Sequence, residues 1–270
     1  SPGHQLLLNK MVSQATYTLL PNSMNLLLLH SGDFISDNHV QIRGRRLQHL
    51  NKVIKAKPGD FLKAGRLNGK IGRAELLTIN SDAAELSIEL TDTPPPALPI
   101  NLILALPRPK MLRRILQAAT SLGIKQIHLI ASWRVEKSYW QSPFLEADKI
   151  REQLLLGLEQ SIDTQLPEVH LHPLFKPFVE DELDTIAANS TRLVAHPHAT
   201  AAIGATPLRM LTLAIGPEGG FIPYEIEKFA ELGFTAVSLG PRILTVEVAV
   251  SSLISRFAVN LENEGRSTHN

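Results

Sequence analysis

The stretch Leu213-Ala214-Ile215-Gly216-Pro217-Glu218-Gly219-Gly220-Phe221 reads as an apolar strand running into a loop with three glycines and then a helix. Glycines at the end of a strand let the backbone approach a ligand and present its N–H and C=O groups, which suits an adenine edge or an amino-acid moiety. A merely tight strand-to-helix turn would use the same residues, and the spacing fits both readings. The order G-x-x-G-G lacks the G-x-G-x-x-G of dinucleotide folds and the G-K-[ST] grip on phosphates, so nucleoside triphosphate chemistry is not expected. Further on, Val237-Ser238-Leu239-Gly240-Pro241-Arg242-Ile243-Leu244-Thr245-Val246-Glu247 makes a second strand-to-loop transition that leads into a last helix. Two such loops at one sheet edge would make a pocket.

Other residues carry chemistry of different kinds. Arg108, Lys110, Arg113 and Arg114 crowd a helix start with no acid among them. A helix N-terminus is already positive, so this cluster opposes the helix dipole unless an anion such as a phosphate backbone arrives there; otherwise it is a solvated face. His170-Leu171-His172 and His196-Pro197-His198 would each put two imidazoles on one side of a strand. Neither pair comes with a cysteine or a spaced set of four ligands, so no metal site is expected. Trp133, Tyr139 and Trp140 could stack bases, as in single-stranded RNA binders, or anchor the core. Ser251-Ser252 lies in a helical pattern without the strand–elbow–helix context of a hydrolase nucleophile, and no chemistry is assigned to it.

These residues need a scaffold. From 26 to 90 the chain alternates short apolar runs, including 74–79 and 84–90, with turn signals at Pro58-Gly59-Asp60 and Leu67-Asn68-Gly69, which predicts a small β-rich domain. Thr91-Asp92-Thr93-Pro94-Pro95-Pro96 then reads as a stiff extended connection, because consecutive prolines cannot enter a helix or a sheet interior. After it, strand patterns at 101–106, 126–131, 193–196, 211–215 and 236–239 alternate with helical ones, which predicts a mainly parallel α/β sheet. Met111, Leu112, Ile115, Leu116 and Ala119 share one face of a helix over 110–122 that stops at Gly123. Helices are also expected over 223–232 and 247–261. The division is a leader over 1–23 that is foreign, in part or whole, to the native fold, a β domain over 24–92, a linker over 93–98 and an α/β domain over 99–270.

The 270 residues, 44% hydrophobic and 20% charged, have ordinary globular composition. With no cysteine, disulfides, cysteine-ligated zinc and a thiol nucleophile are excluded, and the cytoplasm is the expected compartment. The apolar run at 26–29 is too short to span a bilayer. The net charge of +1 hides an asymmetry: residues 41–73 hold ten Lys or Arg against the single acid Asp60. Such a basic, foldable segment suits a nucleic-acid backbone, whose neutralised phosphates release counterions, although a solvated basic face is the plainer alternative.

The two C-terminal loops resemble those of the 16S ribosomal RNA uridine-N3 methyltransferase family, whose signature is Ile-Gly-Pro-Glu-Gly-Gly followed by Leu-Gly-x-Arg-Ile-Leu-Arg-Thr-Glu-Thr-Ala. Residues 215–220 match throughout. Leu47-Gln48-His49-Leu50, Lys52-Val53 and Lys57-Pro58-Gly59-Asp60 resemble the family's front pattern, and residues 110–123 and Glu159-Gln160-Ser161 with Leu166-Pro167 its internal landmarks. The resemblance spans most of 24–262. It departs where the family's Arg-Thr-Glu-Thr becomes Thr245-Val246-Glu247-Val248, and where Asp163 stands in place of a usual arginine.

The resemblance implies a PUA-like β-barrel followed by a SPOUT-class α/β domain with a parallel sheet, tied into a trefoil knot that binds S-adenosylmethionine, usually as a homodimer. Pattern reading gives no reason to expect the knot, since true knots are rare. Carried over by position, the cofactor rests against Ala195 and His196, the Ile215, Gly216, Glu218, Gly219 and Gly220 loop, and the Leu239, Gly240, Ile243, Leu244 and Thr245 loop. Glu247 and Arg242 remain for catalysis. Arg43, Arg45, Arg46 and Lys52 in the basic segment, with Arg108, Lys110, Arg113 and Arg114, are expected to face ribosomal RNA of the small subunit. Loss of the arginine and hydroxyls at 245–248 leaves two alternatives: a methyltransferase for another RNA base, or a non-catalytic RNA-binding or ribosome-assembly protein on the same fold.

Overall fold

A computed structural model describes residues 25–197, 199, 210–238 and 240–267. The leader, His198 and Leu239 fall outside the described residues.

The first sheet has six strands in the order β1-β4-β5-β6-β3-β2. They are β1 (Leu27–Leu29), β2 (Phe34–Ser36), β3 (His39–Ile42), β4 (Phe61–Arg66), β5 (Ile71–Ile79) and β6 (Ala84–Asp92), with helix α1 (Gly44–His49) between β3 and β4. β1 pairs with β4 in parallel and the other pairs are antiparallel. Alternation buries Ala84, Leu86 and Ile88 of β6 on one side, against Val40, Ile42, Ala74 and Leu76. At Gly72 the β5–β6 register shifts, and a Cβ there would meet Glu89 O at 1.9 Å, so this bulge requires glycine. Asp92 still pairs with Ile71, so Thr91 and Asp92 belong to β6 and the connection starts at Thr93.

The second sheet has the order β12-β10-β11-β7-β8-β9 and is parallel throughout. Its strands are β7 (Ile100–Ala105), β8 (Gln126–Ile130), β9 (Glu168–His172), β10 (Thr191–Ala195), β11 (Leu211–Ile215) and β12 (Thr235–Val237). Helices α2 (Pro109–Ser121), α3 (Ala147–Ser161), α4 (Pro223–Glu231) and α5 (Val246–Ser267) connect or close it. β7 and β11 are buried along their whole length, as central strands covered on both faces should be. β9 lies outside the buried-strand candidates because it is an edge strand: Glu168 to His172 alternate polar and apolar types, and Glu168, His170 and Leu171 are exposed. β11 inserts between β7 and β10, both earlier in the chain, and the strands β10, β11 and β12 end together at one edge.

The α2 face buries Leu112, Ile115, Leu116 and Ala119, while Met111 is only partly covered. α3 lies close against α2 because Gly157 has no side chain; a Cβ there would sit 2.7 Å from Thr120 Cβ. The opposite side of α3 holds the first sheet: Leu158 packs with Leu26, Leu28 and Ile71, Arg45 reaches Glu159 at 2.5 Å, and Asn68 N–H donates to Thr164 O at 2.7 Å. No helix among the described residues is long and apolar enough to cross a membrane.

Candidate cofactor and RNA site

A pocket opens where β10, β11 and β12 reach their carboxyl ends, the edge at which open α/β sheets take ligands. Including the open solvent at its mouth, the hollow spans about 610 Å³. Ala195, His196 and Pro197 form one wall, and Ile215, Gly216, Pro217, Glu218 and Gly220 a second. Val237, Ser238, Gly240, Arg242, Ile243 and Leu244 form the third, with Val246 and Ala249 of α5 behind. His196 N–H donates to Val237 O at 2.9 Å, which fastens the first wall to the third. Gly220 (φ +74°) and Gly240 (φ +123°) take backbone conformations that disfavour side chains. Gly216 is needed for space: a Cβ would lie 2.9 Å from Phe221 N and 3.1 Å from its ring.

Three residues expected at the cofactor fall elsewhere or go undescribed. Leu239 is outside the described residues. Gly219 is absent from this pocket and lines a neighbouring one. Thr245 caps the last helix: its hydroxyl accepts from Val248 N–H at 3.4 Å and its carbonyl from Ala249 N–H at 2.9 Å, so its side chain serves the helix start. Of the two residues assigned to catalysis, Arg242 lines the pocket. Glu247 does not, and as an acid in the first turn of α5 it complements the helix dipole.

A second cavity shares Pro217, Glu218 and Val246 with the first and extends to Arg108, Met111, Arg134, Glu136 and Tyr139. A shallower hollow continues from it along Arg108, Lys110, Arg114 and Tyr139. The expected basic cluster at the α2 start thus borders the pocket. Arg108 pairs with Glu218 at 2.9 Å with both side chains more than half exposed, a contact of small energy that an incoming phosphate can replace. Arg113 turns instead onto the Phe144 ring, 5.0 Å from its centroid.

The basic segment is less free than its composition implies. Arg46, expected to face RNA, is engaged within the fold: its guanidinium clasps Asp33 through two bonds of 2.5 and 2.7 Å and donates to Leu28 O at 2.8 Å, with 14% of its side chain exposed. It is a structural arginine. Arg45 is held by Glu159 and Arg73 by Glu89, both acids from outside the segment, while Arg43 donates to Gln41. Asp163, expected to weaken catalysis where the family has arginine, pairs with Lys125 at 2.5 Å, 6% exposed. Lys125 precedes β8, which places the pair at the amino edge of the sheet, opposite the pocket.

Sequence reading missed the buried node that shapes the site. Glu225, 2% exposed, accepts from Trp133 N–H at 2.7 Å, Ile222 N–H at 2.9 Å and the Ser132 hydroxyl at 3.2 Å. One carboxylate therefore ties the loop after β8 to the loop after β11. Arg134, on the first of these loops, donates to Gly219 O on the second. A cation directly beyond a parallel strand, as Arg134 is beyond β8, was the available signal. Of the aromatics singled out, Tyr139 and Trp140 pack on the core whereas Trp133 is 80% exposed.

The histidines form a cluster of another kind. His170 and His172 share a face of β9, as alternation predicts, and His128 of β8 stacks on both, its Nδ1 3.0 Å from His172 Nε2. Burial, then the neighbouring imidazoles, pushes His128 down to about 4. Among the described residues no group of three or more potential ligands is arranged to hold a metal.

Comparison with known proteins gives a consistent set of likenesses. The RNA methyltransferase domain family matches residues 94–258. The ribosomal RNA small subunit methyltransferase E of Treponema pallidum (strain Nichols) is 33% identical over 84% of this chain and 87% of its own length. That of Bacillus subtilis (strain 168) is 26% identical over 82% and 90%. In fold, the chain is similar to a crystal structure of ribosomal RNA small subunit methyltransferase E from Neisseria gonorrhoeae bound to S-adenosyl methionine. The TM-score is 0.71 and the identity 23%, covering 87% of this chain and 97% of that one.

Proposed function

The chain belongs to the RNA methyltransferase domain family, and from that membership we propose that it transfers a methyl group from S-adenosylmethionine to N3 of a uridine in 16S ribosomal RNA. The observation that carries the reading is the pocket at the carboxyl ends of β10, β11 and β12, walled by glycines, prolines and aliphatic side chains with a few polar groups, Arg242 among them. Its residues fit that cofactor. Ile215, Val237, Leu244, Val246 and Ala249 offer apolar surface for the adenosine and thioether portions, and the glycines of the two loops keep side chains off the wall where the adenine edge would lie. S-adenosylmethionine, when bound, supplies an electrophilic methyl on a positively charged sulfur.

The remaining work belongs to this chain. Methylation at uridine N3 requires its proton, whose solution pKa is well above neutrality, to pass to a base or to water as the N–methyl bond forms and the sulfur–methyl bond breaks, so a nearby base, or cations that steady the developing anion, are needed. Arg242 at the pocket wall has the charge for this, with Arg108 and Arg134 in the adjoining cavity. Glu247 acts through the start of α5, as a positioning group. Arg108, Lys110 and Arg114, with the exposed cations of 43–73, take the RNA backbone. The first sheet serves as the PUA-like RNA-binding domain, and the insertion of β11 between β7 and β10 supports the trefoil-knot reading. Ile243, 87% exposed, and Val248, 47% exposed, suit burial in a homodimer acting in the cytoplasm.

The test has two arms. S-adenosylhomocysteine should bind saturably by calorimetry, and 16S RNA incubated with protein and cofactor should gain N3-methyluridine at one site by mass spectrometry. Methylation of a different base would correct the target, and absence of cofactor binding would remove the reading.

A further inference from the structure

Trp133 has no packing role: it is 80% exposed and belongs to none of the three hydrophobic clusters, unlike Trp140, which lies against the core. Single exposed apolar residues are common and need no explanation alone. Here the backbone beneath the indole is fixed. Trp133 N–H donates 2.7 Å to the buried Glu225 carboxylate, and Val135 N–H closes the turn on Ser132 O at 3.0 Å. The next residue, Arg134, is fastened to Gly219 O and lines the cavity beside the cofactor pocket. Tyr224, half exposed and adjacent to Glu225, lies below Lys228. An exposed aromatic ring on a fixed backbone, next in sequence to a cation, at the carboxyl edge of the sheet has the composition of a stacking surface for unpaired bases.

We propose that Trp133 stacks on an unpaired nucleobase of the RNA substrate, holding the nucleotide next to the one that enters the site. This rests on the RNA methyltransferase reading and adds a residue that contacts RNA without belonging to the cofactor pocket. Because Ser132–Arg134 is already ordered by Glu225 and Gly219, little conformational freedom is lost when a base stacks. Stacking is tolerant of base identity, so Trp133 contributes affinity and register while the adjoining cavity selects the base.

The protein has two tryptophans, so quenching is assignable by substitution. A mixed-sequence single-stranded RNA dodecamer should quench emission saturably, and Trp133→Ala should abolish the quenching and weaken RNA binding about tenfold or more. Trp133→Phe should retain most of the affinity. An abasic dodecamer with the same phosphates should bind wild type and Trp133→Ala equally. S-adenosylhomocysteine affinity and melting temperature should stay at wild-type values in both variants. Equal binding of the base-containing RNA by wild type and Trp133→Ala would overturn the proposal, as would a Trp133→Ala variant that changed only oligomeric state. Failure of S-adenosylhomocysteine to bind wild type would instead strike the methyltransferase reading.

Discussion

Gly216 and Gly219 lie on one loop, yet the structure gives them different neighbours and therefore different substitution outcomes. A methyl at Gly216 would sit 2.9 Å from the Phe221 backbone nitrogen and 3.1 Å from the Phe221 ring, itself part of the core. Neither neighbour can swing away, so the loop must shift by several tenths of an ångström along the pocket wall. Overpacking of this kind costs about 1–3 kcal/mol. If the cost falls on the ligand-binding conformation, the affinity loss is roughly 5- to 150-fold. A methyl at Gly219 would instead meet Arg134 Cδ at 2.7 Å, part of a flexible side chain, outside the cofactor pocket. Calorimetric titration with S-adenosylhomocysteine should therefore find Gly216→Ala strongly weakened and Gly219→Ala within about twofold of wild type, the latter as expected for a surface change. RNA affinity of Gly219→Ala should fall, because Arg134 is displaced. Wild-type cofactor affinity in a folded Gly216→Ala protein would refute the assignment of this loop as a pocket wall.

Acidification should unfold the protein in a window set by the histidine cluster. His128 sits at about 4 when folded against 6.5 unfolded, so between these values the unfolded chain binds more protons and stability falls as pH drops from 6.5 to 4, by up to about 3 kcal/mol. His172 is lowered as well and adds in the same direction. Urea midpoints at pH 7 and 4.5 should differ less in His128→Gln, and an unchanged difference would remove His128 as the cause. Glu225→Ala leaves the Trp133 and Ile222 N–H groups without their carboxylate and should cost about 2–4 kcal/mol in urea unfolding, with RNA affinity falling as the loop loosens. A Cm equal to wild type would show that water replaces the carboxylate. Asp163→Asn, which breaks a buried pair with Lys125, should lower stability by a few kcal/mol while S-adenosylhomocysteine affinity stays unchanged; a matching loss of affinity would link position 163 to the pocket.

The two sheets were legible because period carries them: alternation in 74–79 and 84–90, continuous apolar runs at 101–106 and 211–215, and the α2 stripe ending at Gly123. The pocket loops were legible because glycine spacing and a family resemblance met at 215–220. Contacts between distant residues leave no period. Arg45 meets Glu159 across 114 positions, Ser132 meets Glu225 across 93, and Lys125 meets Asp163 across 38. A local charge count over 41–73 therefore overstated the free cations, and Glu225, one acid near the start of the helix expected over 223–232, gave no sign that its carboxylate joins two loops. β9 escaped for a related reason: an edge strand with alternating polar residues looks like surface until its pairing partner is known.

The parallel sheet also separates the sequence departures by consequence. All its strands run the same way, so residues before a strand and residues after it lie a strand length apart. For the five residues of β8 that is roughly 16 Å, and the buried Asp163 carboxylate is offset by the Lys125 ammonium 2.5 Å away. Asp163 and Lys125 lie before β8, at the edge where α3 meets the first sheet, and a charge there cannot steady an anion forming beyond Ala195 and Ile215. Position 163 thus concerns the joint between the sheets. The change at Thr245 is different, since its hydroxyl caps the helix whose Val246 and Ala249 back the pocket. The proposed chemistry would therefore draw on Arg242 at the pocket wall, with Arg108 and Arg134 in the adjoining cavity.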